Sequence, residues 1–269
     1  MTKPNPIIIF LIIILIYISY LISSLFEFSN NLQNEIKEIK PSNRTLGFDH
    51  IYVVNLYYRT DRRDRMDKLA SYLDLDFDYF SAASRYDNSL FRKYGYGELS
   101  PSRRACYLSH YMIYKSIIDE GLNNALILED DVDFETNITA ITTEIHRSLP
   151  DYWDTLYIGH CYEKIGKLVD NSSFTNRLYE SVMPACTHAY AVSNWGARKL
   201  LEKLDPMVPH DAIDLALLER IKNKEITSYS VHPMPIIQWK SEDNPSDVPE
   251  SLDTYFSLKN STLQFLGYT

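Results

Sequence analysis

Residues 125–134 read ALILEDDVDF: a short apolar run, then Glu129, Asp130 and Asp131 in a row, with Asp133 and Glu135 just beyond. An apolar run of this length reads as a buried strand. Three carboxylates arriving together at its carboxyl end repel one another, and each carries a raised pKa unless a cation neutralises them. Hard oxygen ligands grouped in this way suit Mg2+ or Mn2+ holding a diphosphate. Glu129 and Asp131 are the candidate metal ligands, with Asp130 beside them. Two other readings fit the same residues. An acidic run after a strand is often a solvated turn. Asp131 and Asp133 also form an Asp-x-Asp of the metal-phosphohydrolase type, but Glu135 stands where that motif has a hydroxyl or a small branched residue, and no downstream lysine and hydroxyl set completes it.

The elements that would hold these groups follow from hydrophobic period. Ile51–Leu56 is a β-branched and aromatic strand, and the helix from Asp61 carries Met66, Leu69, Ala70 and Leu73 at helical spacing. Ser100-Pro101 opens a helix that runs to Gly121, with Ala105, Leu108, Met112, Ile113 and Ile117 spread over more than one stripe, which predicts a helix sandwiched between layers. After the strand 125–128 come a helix around Ile138–Leu149, a strand at Thr155–Gly159, a strand at Ala189–Val192, a helix from Ser193, a helix over Asp211–Lys222 and a strand at Tyr229–His232. Alternation of this kind predicts an α/β sheet with helices on both faces and ligands at the carboxyl ends of the strands.

Over 269 residues the formal net charge is −9 and 45% of the side chains are hydrophobic, which excludes a disordered chain and leaves too little positive charge to coat a nucleic acid. Residues 7–26, IIIFLIIILIYISYLISSLF, hold no charge and match the roughly 30 Å of a bilayer core, so the expected plan is a short tail 1–6, a membrane anchor 7–26, a polar stem 27–48 and a folded domain 49–269. A cleaved signal peptide is the competing reading, although its apolar core is shorter, roughly 7–15 residues. Sequons at Asn43, Asn137, Asn171 and Asn260 agree with a type II protein whose body lies in the lumen of the endoplasmic reticulum or Golgi. Among the three cysteines, Cys106 reads as a buried apolar residue on its helix, and whether Cys161 and Cys186 pair is left open, a bridge between them being one option in a lumenal protein. His110 and His188 read as structural histidines, and Arg63 and Arg65 as a solvated helix face.

Several blocks, in order, resemble glycosyltransferase family 25, the lipopolysaccharide and procollagen galactosyltransferase family. They are Asn55-Leu56 with Arg59, Asp61-Arg62 and Arg65-Met66; Leu99-Ser100-Pro101 with Cys106 to His110; ALILEDDVDF; Trp153-Asp154 with Leu156 to Gly159; and Cys186 to Ser193 with Gly196-Ala197. Tyr58, Arg103 and Arg104 depart from the usual pattern.

The resemblance implies a GT-A-like nucleotide-diphospho-sugar transferase fold, a UDP-galactose or UDP-glucose donor, Mn2+ or Mg2+, inversion at the anomeric carbon, and a protein or glycan hydroxyl as acceptor. In that scheme Asp131 and Glu129 hold the metal. Asn55, Leu56, Arg59, Arg62, Ser109 and Asp130 surround the nucleotide, the arginines meeting it with planar, bidentate donors. Asp211 or Asp214 takes the proton of the acceptor hydroxyl, and Trp239 is among the aromatic faces open to a sugar. A catalytically silent relative that keeps the fold and binds glycan or protein is the alternative.

Overall fold

The computed structural model describes residues 43–268, apart from 96–97, 162–163, 165, 170–174, 242–246 and 249–256, and near the N-terminus Tyr17, Ser19 and residues 21–24. The chain divides into two units, Met1–Pro41 and Ser42–Thr269. In the first, the described residues are helical and exposed; most of the expected anchor and stem lies outside the described residues. Among the described residues no helix is long and apolar enough to cross a membrane. The second unit begins ahead of residue 49. Leu46 and Phe48, expected in the stem, are 2% and 1% exposed and belong to the core. Isolated apolar residues in a polar stretch carry no periodicity, so only the space they fill reveals them.

In chain order the second unit contains β1 (His50–Asn55), α1 (Thr60–Leu73), β2 (Asp78–Ser81), α2 (Asn88–Tyr94), α3 (Pro101–Asp119), β3 (Asn124–Glu129), β4 (Val132–Phe134), α4 (Ile138–Ser148), β5 (Thr155–Gly159), β6 (Arg177–Glu180), β7 (Ala189–Ser193), α5 (Asn194–Lys203), α6 (Ile213–Lys222), β8 (Ser228–His232), β9 (Ile236–Gln238) and α7 (Thr262–Phe265). Seven strands make one sheet in the order β2-β1-β3-β7-β5-β8-β6, and β4 pairs with β9 separately. β1 is parallel to β2 and β3, and β5 is parallel to β8, while β7 runs antiparallel between β3 and β5. The sheet is therefore mixed. The strands not anticipated from periodicity, β2, β4, β6 and β9, are three or four residues long, too short for a period-2 signal.

Alternation along each strand sorts the core into two faces. Ile51, Val53, Leu126 and Leu128 point to one, with Met66 and Leu69 of α1 and Ile138, Ile141 and Ile145 of α4. Tyr52, Ala125, Ile127, Tyr157 and Tyr190 point to the other, with Ile113, Tyr114 and Ile117 of α3 and Leu200 and Leu217 of α5 and α6. Helices thus cover both faces. α3 is buried on several sides, as its broad apolar surface predicts. At the carboxyl end of the sheet, Gly159 admits the ring of His188, whose Nε2 lies 2.5 Å from where a Cβ would stand. A disulfide between Cys161 and Cys186 ties the chain leaving β5 to the chain entering β7.

Candidate active site

Because β1 and β3 are parallel neighbours, their last residues, Asn55 and Glu129, finish side by side, and the acid turn Glu129-Asp130-Asp131 opens where α1 begins. The buried stripe of α1 holds Arg62 and Arg65 as well as Met66 and Leu69, so the face that packs on the sheet also carries guanidiniums over the acids. Arg62, 4% exposed, donates from Nη1 to Asp130 Oδ1 at 2.6 Å and to Asp131 Oδ2 at 3.4 Å. Arg65 is not on a solvated face: it donates to the Asp130 carbonyl at 3.1 Å, and its guanidinium lies 4.7 Å from the Trp239 ring centre. Nor does Arg63 stand free, since it donates to Asn55 Oδ1 at 3.1 Å.

The three adjacent carboxylates have three different surroundings. Asp130 accepts from Asn55 Nδ2 at 2.8 Å and from Arg62, so the Asn55 amide is engaged in fixing an acid. Glu129 accepts from Thr187 Oγ1 at 2.9 Å. Burial opposes its charge, yet the adjoining His110 and His188 and the Thr187 hydroxyl hold its carboxyl below the usual range. Asp131 accepts on Oδ2 from Gln238 Nε2 at 3.1 Å, while its buried Oδ1 has no hydrogen-bond partner among the described residues. Burial, opposed by Arg62 and reinforced by Glu129 and Asp130, pushes the Asp131 carboxyl up to about 7. An orphaned carboxylate oxygen beside two further acids has the chemistry a divalent cation would satisfy, but among the described residues the ligand atoms that group closely with Glu129 are those of Cys106 and His110, not of Asp131.

Asp133 and Glu135 face away from this cluster. Asp133 accepts from the backbone N–H groups of Phe134 and Leu263 and from Ser261 Oγ, and Glu135 from the N–H groups of Lys259 and Asn260. Both pin the segment leading into α7. With Asp133 so engaged, the Asp131-x-Asp133 phosphohydrolase pair does not form: alternate residues share a face only within a regular strand, and Asp131 belongs to the turn before β4 while Asp133 lies in the strand.

A pocket opens in front of the cluster. Four carboxylates, Glu129, Asp130, Asp131 and Asp247, and two guanidiniums, Arg62 and Arg85, line it, with Val54 and Leu56 along its apolar wall. Ser109 also lines it, but its hydroxyl donates to the Ala105 carbonyl and accepts from the Ala83 N–H. Arg59 pairs with Asp61 at 2.9 Å and with Asp247 at 2.5 Å, and Asp247 lies 3.6 Å from Arg62. Asp247 thus places a carboxylate between the two arginines expected to meet phosphate. It has no motif around it, and no signal in the sequence could have found it.

The two candidate bases separate. Asp211 is exposed and lines a different concavity with His210, Lys203 and Glu219. Asp214 stands half-buried in the first turn of α6, whose N-cap is Ala212; it is not among the residues that line the carboxylate pocket, although burial first, and then the charges of Glu129, Asp214 and Asp131, push the Cys106 thiol in that pocket's wall up.

The sequence profile of glycosyltransferase family 25, described as that of an LPS biosynthesis protein, matches residues 48–216, which hold all of the expected metal, nucleotide and base residues. The chain belongs to glycosyltransferase family 25. Among curated members it is 30% identical over 186 residues to procollagen galactosyltransferase 1 of Danio rerio, covering 62% of this chain and 31% of that protein. It is 28% identical to procollagen galactosyltransferase 1-B of Xenopus laevis, over 70% of this chain and 33% of the relative. It is also 29% identical to the human protein named inactive glycosyltransferase 25 family member 3, over 73% and 36%. This family 25 chain therefore spans about a third of the length of the curated relatives it matches.

Proposed function

We propose that the chain is a metal-dependent, inverting glycosyltransferase that moves galactose or glucose from a UDP-sugar to a hydroxyl of a protein or glycan. The observation that carries this reading is Asp131, a residue of the pocket that Arg62 and Arg85 also line, whose buried Oδ1 has no hydrogen-bond partner among the described residues. Asp131 and Glu129 would hold Mn2+ or Mg2+, which would supply Lewis-acid stabilisation of the negative charge on a UDP leaving group. Asp130 and Asn55 fix Arg62, and Arg62 with Arg59 offers planar donors to the diphosphate once Asp247 yields them. Val54 and Leu56 form the apolar wall against which the uracil ring rests. Asp214 accepts the proton of the acceptor hydroxyl, a role worth about 10²–10⁴-fold. Residues 7–26 and the Cys161–Cys186 disulfide support a type II protein anchored in the membrane, with its catalytic domain in the oxidising lumen of the endoplasmic reticulum or Golgi.

The human relative described as inactive raises the alternative of a binding protein of the same fold. Three adjoining acids, one with a bare buried oxygen, argue against it, because binding alone gives no return for their mutual repulsion. The test is UDP release by the purified full chain from UDP-galactose or UDP-glucose, with and without Mn2+. Release that requires the metal and is lost in Asp131→Ala supports the reading. No release from either donor, or turnover untouched in Asp131→Ala, overturns it.

A further inference from the structure

Beside the Asp131 site lies a second group of ligand atoms of different chemistry. Cys106 and His110 are four residues apart on α3 and so share one face of the helix. That face meets the end of β3, where the Glu129 carboxylate stands, and one ligand atom from each of the three residues falls within 4.8 Å of the others. Zinc bonds of 2.0–2.3 Å in tetrahedral geometry put ligand atoms about 3.5 Å apart. Small side-chain rotations close the difference.

A separate observation points to a ligand here. The His110 ring is fully buried; its Nδ1 bonds the Tyr190 hydroxyl at 2.9 Å, and that hydroxyl bonds Tyr114 at 2.6 Å. The other nitrogen, Nε2, makes no hydrogen bond among the described residues; what it meets is Glu129 Oε1 at 3.7 Å, close enough for charge pairing but too far for a hydrogen bond. A buried nitrogen that reaches only a carboxylate beyond hydrogen-bond distance is poorly satisfied, which is costly. An imidazole fixed through one nitrogen by an outer hydroxyl, with the other left bare, has the form of a metal ligand and its supporting shell.

We propose that Cys106, His110 and Glu129 form a binding site for Zn2+, distinct from the hard-metal site at Asp131. A sulfur, nitrogen and oxygen donor set selects a borderline-soft ion over Mn2+ or Mg2+. Cys106, His110 and Glu129 all line the pocket, so its space is available to a water as the fourth ligand of the ion. Cys106 binds as the thiolate, and its proton leaves to solvent. Glu129 belongs to both sites; on the functional reading above, Zn2+ withdraws it from the neighbouring metal and inhibits turnover.

Co2+ reads this site without any assay of transfer. Cys161 and Cys186 are paired, so Cys106 is the sole free thiol of the chain and the only source of a sulfur-to-cobalt charge-transfer band. The full chain, purified in detergent without reductant and kept free of air, is titrated with Co2+ and followed in the near ultraviolet. The expected result is a band that saturates at one Co2+ per chain and is bleached by Zn2+. Cys106→Ser abolishes it, and Asp131→Asn leaves it in place whether or not that variant releases UDP. The proposal is overturned if the unaltered chain gives no band or if the band survives Cys106→Ser. It is equally overturned if Asp131→Asn removes the band, since the two sites would then be one.

Discussion

Replacing Asp131 by asparagine should make the metal-free protein more stable while it destroys metal binding. In the unfolded chain an aspartate titrates near 3.8; in the folded, metal-free chain burial, with Glu129 and Asp130 adding to it, pushes Asp131 up to about 7. At roughly 1.4 kcal/mol for each pH unit, keeping Asp131 ionised costs about 4 kcal/mol. The sign follows from which state binds the proton more tightly. Below pH 4 both states are protonated and the group costs nothing. As the pH rises from 4 through 7 the unfolded state loses its proton first, so stability falls, and above 7 the whole cost is present. Asparagine keeps the shape and removes the charge, forfeiting only the 3.4 Å contact with Arg62. The gain should be about 2–4 kcal/mol at pH 8, a shift of the urea midpoint by about 1 M. The assay is urea denaturation of residues 42–269 in EDTA at pH 4, 6 and 8. The difference between variant and parent isolates Asp131 from His160 and His188, whose pKa values burial lowers to about 4 and whose contribution runs the other way with pH. Saturating Mn2+ should raise the parent alone, by about 2.7 kcal/mol at a hundredfold excess over Kd, and narrow the gap. If Asp131→Asn is instead less stable than the parent in EDTA at pH 8, the carboxylate is a stabilising partner of Arg62 and Gln238, and the case for a cation fails.

Further predictions follow from other contacts at the same end of the sheet. Asp214→Asn should lower UDP release by about 10²-fold, whereas Asp211→Asn, in a different concavity, should leave it within about twofold; equal losses would refute the assignment. Asp247→Asn frees Arg59 and Arg62 from an internal anion, so the Kd for UDP, measured by calorimetry, should fall about tenfold, and a weaker Kd would show that Asp247 supports the site. Unreduced, urea-unfolded protein should show one reactive thiol and reduced protein three. Reduction should cost about 3 kcal/mol of stability, the value for a loop of this length.

Much of this chain is legible without its structure because the information is local. The strand before Glu129, the helix opened by Ser100-Pro101 and the core stripe of α1 each announce themselves within a dozen residues, where side-chain period reports burial directly. The family follows from such blocks in order, and so does the end of the sheet that bears the acids. Periodicity misplaced what depends on company rather than period. Arg65, read as solvated, is held by the Asp130 carbonyl and Trp239, and Leu46, read as stem, lies in the core.

The site itself was decided by contacts across long stretches of chain. The acid run names five carboxylates, but only the fold turns Glu129, Asp130 and Asp131 toward the pocket and spends Asp133 and Glu135 on the segment before α7. Arg62 meets Asp130 across 68 positions and Arg59 meets Asp247 across 188. His110, indistinguishable in sequence from any helix histidine, becomes notable when Tyr190, on a strand 80 positions away, takes one ring nitrogen and leaves the other bare. Sequence determined which residues could carry charge, bind a cation or pack. Which of them do so depends on desolvation and on the partner each one meets, and both are set only when distant segments close over one another.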